Sequence, residues 1–163
     1  VLLRPAGQLA ERRADRGAAR GEFVAHPDRA YAVAIDDADW AGFAAILTDP
    51  VHIDFSAAGM PAADLPRADF VGFASGALER WTARQHISPN HRVVFDETDP
   101  DTAVCHSYMY AQHHLAGGGR YLMRGSYEHA VVRTADGWRI SRVTQHVSWL
   151  EGDPDAPEHA ARA

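Results

Sequence analysis

Three helices followed by a curved, mainly antiparallel sheet that encloses a pocket, an α+β cone, is the fold class that the sequence predicts. Two observations carry it. Apolar residues recur at helical intervals in the first half of the chain and at intervals of two in the second half, the order expected of an α+β domain. The second half is also punctuated by "DETDPD", "LAGGGR" and "TADG", whose Gly, Pro and Asp residues suit hairpins and short loops. A length of 163 residues is about one domain's worth and suffices for one core with a pocket.

Each element follows from local pattern. Residues 1–22 read as a flexible or short-helical extension, with a surface helix from Leu9 to Arg20 or a frayed tail as alternatives. Residues 23–151 are the domain, and 152–163, rich in Pro and Ala, read as a disordered tail. In the domain, "PDRAYAVAID" places Ala30, Tyr31, Ala34 and Ile35 at helical spacing, and "DADWAGFAAIL" does the same with Trp40, Phe43, Ala44 and Leu47. Asp37 or Asp39 caps the second helix. The segment "VHIDFS" is a short strand, and "MPAADLPRADFVGFASGALERW" supplies a third helix starting near Pro66 or Arg67. Four long strands complete the sheet: Arg84 to Asp96, Thr102 to Leu115, Arg120 to Thr134, and Trp138 to Leu150.

Composition narrows the partners. A net charge of −6 argues against a nucleic-acid or anionic-membrane surface. The N-terminal residues lack the apolar run of a secretory signal, and no stretch approaches the roughly 20 apolar residues of a membrane span. Cys105 is the single cysteine, which rules out an intrachain disulfide and suits a reducing compartment, so the expected location is cytoplasmic. No HExxH, CxxC or finger spacing is present among the ten histidines and one cysteine, and no metal is expected. The "LAGGGR" segment lacks the Lys-Ser/Thr and helix of a phosphate loop and reads as a hairpin tip.

The chemistry concentrates in "TARQHISPNHRVVFDETD", where a period of two puts His86, Ser88 and Asn90 on one strand face. In order and spacing, "YAVAIDDADWAGFAAIL", "VHIDFS", "RADFVGF", "TARQHISPNHRV", "YAQHH" and "GWRISRVTQHVSW" resemble the nuclear transport factor 2-like superfamily. Within it they are most similar to the SnoaL-like group of polyketide cyclases, scytalone dehydratase and hexachlorocyclohexane dehydrochlorinase. The resemblance implies a catalytic pair, Asp36 at the end of the first helix and His86 early in the first long strand. A carboxylate that holds one imidazole nitrogen fixes the tautomer and leaves the other nitrogen basic. Matched the same way, His113 falls on the second active-site histidine of scytalone dehydratase, on one strand face with Cys105, Ser107, Met109 and Ala111. His114 points the other way. Two tyrosines of that enzyme are replaced by Ile35 and Phe55, which argues for a different substrate.

A second resemblance overlays the first. Tyr31 and Asp54 match the oxyanion-hole Tyr and the general-base Asp of ketosteroid isomerase, and that enzyme's protonated Asp falls near His129. Tyr127 and His129 alternate on one strand face as a polar rim, with Glu128 facing out or standing in for a pocket amide. The substrate-contact set is therefore Tyr31, Asp54, Phe55, Ser88, Asn90, His113, Tyr127 and His129. Trp138, Ile140, Trp149 and Tyr121 read as core and interface, and Trp138, Tyr108, Tyr110 and Trp149 supply an aromatic face for a homo-oligomer, a dimer or trimer. The implied function is a cofactor-independent lyase, isomerase or cyclase acting on a small apolar organic molecule by Asp–His proton transfer, with dehydration next to a carbonyl as the leading reaction. The alternatives are a non-catalytic ligand-binding or assembly module, an isomerase of the ketosteroid type, and an epoxide hydrolase.

Overall fold

The computed structural model describes residues 26–162. The extension at 1–22 and the Leu9–Arg20 helix lie outside the described residues. The chain runs α1 (His26–Asp36), α2 (Trp40–Ala45), β1 (Leu47–Phe55), β2 (Met60–Leu65), α3 (Arg67–Leu78), β3 (Ala83–Ile87), β4 (Arg92–Phe95), β5 (Thr102–Leu115), β6 (Gly119–Thr134), β7 (Gly137–Gly152) and α4 (Ala156–Ala161).

The helices begin and end where their residues dictate. Helix α1 buries Tyr31, Ala32, Ala34 and Ile35 together with Pro27 and Asp28 in its first turn. Ala38 then turns the chain in the left-handed region (φ 56°). Of the two cap candidates Asp39 is the one used, its carboxylate accepting from the Gly42 N–H at 2.8 Å. A Cβ on Gly42 would collide with that carboxylate, so the cap requires glycine there. Helix α3 starts at Arg67 after Pro66 and seats Phe70 and Ala74 in the core.

The sheet has seven strands in the order β2-β1-β7-β6-β5-β3, with β4 also paired to β5. Among the described strands β1 and β7 run parallel and the other pairings are antiparallel, so the sheet is mixed. Strand β5 alternates strictly: Ala103, Cys105, Ser107, Met109, Ala111 and His113 are buried, and the intervening side chains face out. The register of β6 against β7 shifts between Arg124 and Gly125 and between Ala130 and Val131, two bulges that bend the sheet. A Cβ on Gly125 would strike the His146 carbonyl, so the first bulge demands glycine. Helices α1 and α3 cover the inner face. An aromatic column joins the layers, with Phe43 5.2 Å from Tyr31 and 5.5 Å from Phe70.

Several expectations are corrected. The segment read as one strand from Arg84 to Asp96 is two, β3 and β4, because Pro89 cannot donate a ladder bond and Asn90 takes φ 62°. Residues 60–65, read as the approach to the third helix, form the edge strand β2. The short strand expected over 51–56 begins earlier, at Leu47. The tail expected to be disordered carries α4, tied down by buried Ala156 and by the Arg80–Glu158 ion pair. Trp138 is buried, so it does not belong to the exposed aromatic face, whereas Tyr108 and Trp149 remain open. Among the described residues no helix is long and apolar enough to cross a membrane.

Candidate active site

Helix α1 ends in a carboxylate, an unfavourable place for negative charge because the last carbonyls already carry the negative end of the helix dipole, by about 0.3–1 kcal/mol. Two partners on β3 offset it. Arg84 donates from Nε to the Ile35 carbonyl at 2.7 Å and from Nη1 to the Leu78 carbonyl at 3.4 Å, pinning the last turns of α1 and α3 to the sheet edge. His86 takes Asp36 directly: its backbone N–H donates to Oδ2 at 2.7 Å, and Nδ1 lies 2.7 Å from Oδ1. With both carboxylate oxygens on one residue, the ring has no freedom to turn. In the neutral ring Nδ1 carries the proton toward Asp36, and Nε2 keeps its lone pair.

His86 is one wall of a cavity of about 100 Å³ between the inner sheet face and helices α1 and α3. Its lining also includes Tyr31, Ile35, Phe55, Phe70, His113, Met123, Tyr127 and Gln145. Phe73 lies at the mouth, lining the cavity while 46% exposed. Nε2 of His86 has no protein partner among the described residues and is the nitrogen left for a ligand.

His113 stands beside His86, ring centroids 5.5 Å apart and nearly perpendicular. Its Nδ1–H donates to the Tyr121 carbonyl at 3.1 Å, which leaves Nε2 as an acceptor. Burial, with His86 adding to it, pushes its imidazole down to about 4, so His113 is neutral at pH 7. Tyr31 and Tyr127 are fully enclosed, and burial raises both phenols well above their usual range, keeping them protonated donors.

The remaining sequence candidates lie elsewhere. Asp54 is on the opposite face of β1 from Ile53 and Phe55; it accepts from the Ser56 N–H and hydroxyl at 3.1 and 2.6 Å, bonds that lower its carboxyl. It caps a turn and is no part of the cavity wall. Ser88 and Asn90 lie past the end of β3, where the chain has turned, so they do not continue the His86 face. Glu128 faces out, 3.7 Å from His106. The isomerase-like constellation is thus split: Tyr31 lines the cavity, while Asp54 and His129 do not.

His129 belongs instead to a cluster that the sequence reading missed. Asp28, wholly buried at the other end of α1, has His129 Nδ1 2.5 Å from one oxygen and His91 Nε2 2.6 Å from the other, with the Ser107 hydroxyl at 3.4 Å. Both imidazole contacts are close but off the line of a straight N–H hydrogen bond. Rings of Tyr31 and Tyr127, 4.9 and 5.2 Å from His129, stand between this cluster and the cavity. Among the described residues no group of three His, Cys, Asp or Glu side chains is arranged to hold a metal ion.

A concave, largely aromatic cavity with a few convergent polar groups is the usual form of a small-molecule site. The SnoaL-like domain model matches residues 24–144, and the chain belongs to that family, within the nuclear transport factor 2-like superfamily. The Kfla4162 protein from Kribbella flavida is 30% identical, with a TM-score of 0.77, over 90% of this chain and 99% of that one. A candidate scytalone dehydratase from Novosphingobium aromaticivorans has a TM-score of 0.72 at 15% identity, covering 86% of this chain and 91% of its own. Hexachlorocyclohexane dehydrochlorinase type 3 from Novosphingobium barchaimii reaches 0.68 at 17% identity, over 86% and 93%. At those identities the last two demonstrate the shared fold. A search of curated proteins found none that matches.

Proposed function

We propose that the protein is a cofactor-independent lyase that eliminates water from a small, largely apolar organic molecule next to a carbonyl, with His86 as the proton-transfer residue and Asp36 as its orienting partner. The observation that carries this reading is the two-point grip of Asp36 on His86, which leaves Nε2 as the ring nitrogen available at the cavity wall. Nε2 takes the proton from the carbon beside the carbonyl, and the C–H electron pair becomes the new C=C bond. The C–O bond to the leaving hydroxyl breaks as that C=C bond forms, the imidazolium gives the proton to the departing oxygen, and water leaves with His86 restored. His113 offers a lone pair and no proton at its free nitrogen, so it is suited to holding the leaving hydroxyl by accepting its hydrogen bond. A dehydratase and a dehydrochlorinase by name among the structural neighbours, both eliminations, support the reaction class.

An assembly module with its cone plugged by side chains is disfavoured by the cavity beside the pair, and an isomerase of the ketosteroid type by the outward-facing Asp54. The buried, lone Cys105 suits a reducing compartment such as the cytoplasm. The reading is tested by offering β-hydroxy cyclic ketones and following enone absorbance. Turnover by the wild type that falls by about 10² to 10⁴ in His86→Gln, with the fold intact, supports it. Undiminished turnover in His86→Gln rejects it.

A further inference from the structure

The cavity has a second polar pole that the elimination chemistry leaves unused. Tyr127 on β6 is 2% exposed and lines the cavity. Its ring packs in a three-ring cluster with Tyr31, at 5.6 Å, and His129, stacked at 5.2 Å and 28°. Gln145 on β7 lines the same cavity, and its side chain is the partner of the Tyr127 hydroxyl. An amide N–H donated to the phenol oxygen leaves the phenol proton for a ligand in the cavity. In the sheet, His86 is level with Ala111 and Met123, while Tyr127 lies four residues further along β6 on the same face, so the two poles occupy different levels.

The rest of the lining limits what can lie between them. Tyr31, Phe55, Phe70 and Phe73 present aromatic faces, and among the described residues no Lys, Arg, Asp or Glu side chain lines the cavity. A carboxylate or phosphate brought here would lose its hydration without a counter-charge, which costs several kcal/mol. An apolar cavity of about 150 Å³ is known to hold benzene, so a space of about 100 Å³ takes at most one ring with few substituents, with Phe73 at the mouth giving way.

We infer that Tyr127, braced by Gln145, is an oxygen-binding subsite, and that the ligand is an uncharged single-ring molecule whose carbonyl or hydroxyl oxygen accepts the Tyr127 proton. Gln145 is a positioning residue that acts through Tyr127. The elimination reading enters only in assigning the far end of the ligand to His86.

Phenol, toluene and benzoate, titrated into the protein and followed by amide NMR shifts, separate the terms. Phenol is expected to bind more tightly than toluene, and benzoate not at all. Tyr127→Phe keeps the ring and its packing but removes the donor, so phenol affinity falls roughly tenfold while toluene affinity is unchanged. Gln145→Leu weakens phenol less than Tyr127→Phe does and leaves toluene affinity unchanged, a split by ligand polarity that loss of packing alone would not give. Equal phenol affinity in the wild type and Tyr127→Phe, equal affinity of phenol and toluene in the wild type, or benzoate binding as tight as phenol overturns the inference. An intact phenol subsite with undiminished turnover in His86→Gln would reject the elimination reading and leave this one standing, so the two fail separately.

Discussion

The two ends of α1 hold the same chemical pair in opposite settings. At the C-terminal end Asp36, with its side chain 22% exposed, grips His86 at the cavity wall; at the N-terminal end Asp28 is wholly enclosed and shared between His129 and His91. A carboxylate beside an imidazole is therefore no mark of catalysis by itself. What separates the ends is access. The free nitrogen of His86 is available to a ligand, whereas His129 is completely buried behind Tyr31 and Tyr127, and its Nε2 has no hydrogen-bond partner among the described residues. The first arrangement can exchange a proton with a guest. The second ties the first turn of α1 to β6 and to the loop before β4, and backs the tyrosine wall of the cavity.

If access decides the role, rate should suffer most at one end and stability most at the other. The largest effect is expected on rate at the C-terminal end, where His86→Gln removes about 10² to 10⁴ of turnover. At the N-terminal end the loss is expected in stability. Asp28→Ala leaves His129 without its partner in a closed interior, and the exposed His91 without its anchor, and should lower the unfolding free energy by about 3–5 kcal/mol in chemical denaturation. Asp36→Ala should lower it by only about 1–2 kcal/mol, since the charged hydrogen bonds lost are partly offset by removing a negative charge from a helix C-terminus. Equal stability losses at the two ends would erase the distinction.

A smaller effect follows from His113, the neighbour of the open pair. Its folded-state imidazole sits at about 4 against an ordinary 6.5, burial being the first cause, so the unfolded chain binds that proton more readily than the folded one. Stability should therefore fall as pH drops from about 6.5 towards 4 and this contribution should then level off, with a total of roughly 3 kcal/mol. Denaturation across that pH range checks it. His113→Gln should flatten the slope in that window, and an unchanged slope would mean that His113 titrates as an exposed histidine does.

Much of this architecture was legible because its signals are local. Strand β5 came out with its observed bounds, Thr102–Leu115, because a fully half-buried strand alternates without interruption. The third helix started where Pro66 allowed it. Strand β2 was missed because its four middle residues are exposed, which leaves no alternation to read. Ser88 and Asn90 were misplaced by carrying a period of two through a proline. Gln145 was invisible for a related reason: the bulge at Ala130/Val131 switches the inward side of β7 from Trp138 and Ile140 to Val143 and Gln145, so a count from Trp138 sends Gln145 outward. The Asp28 cluster unites residues from α1, the loop before β4, and β6, and no spacing rule reaches across those separations. Asp36 and His86 were found through resemblance in order and spacing. Composition alone would have left Asp36 a helix-end residue.

The central claim, that Asp36 holds His86 in the tautomer with a basic Nε2 toward the cavity, is tested most directly by nitrogen-15 NMR of the histidine side chains, with His86 assigned by comparison with His86→Gln. In the neutral ring the account predicts a protonated Nδ1 and an unprotonated Nε2 for His86, with that preference weakened in Asp36→Asn. A neutral His86 that carries its proton on Nε2, or one whose tautomer is indifferent to Asp36→Asn, would contradict it.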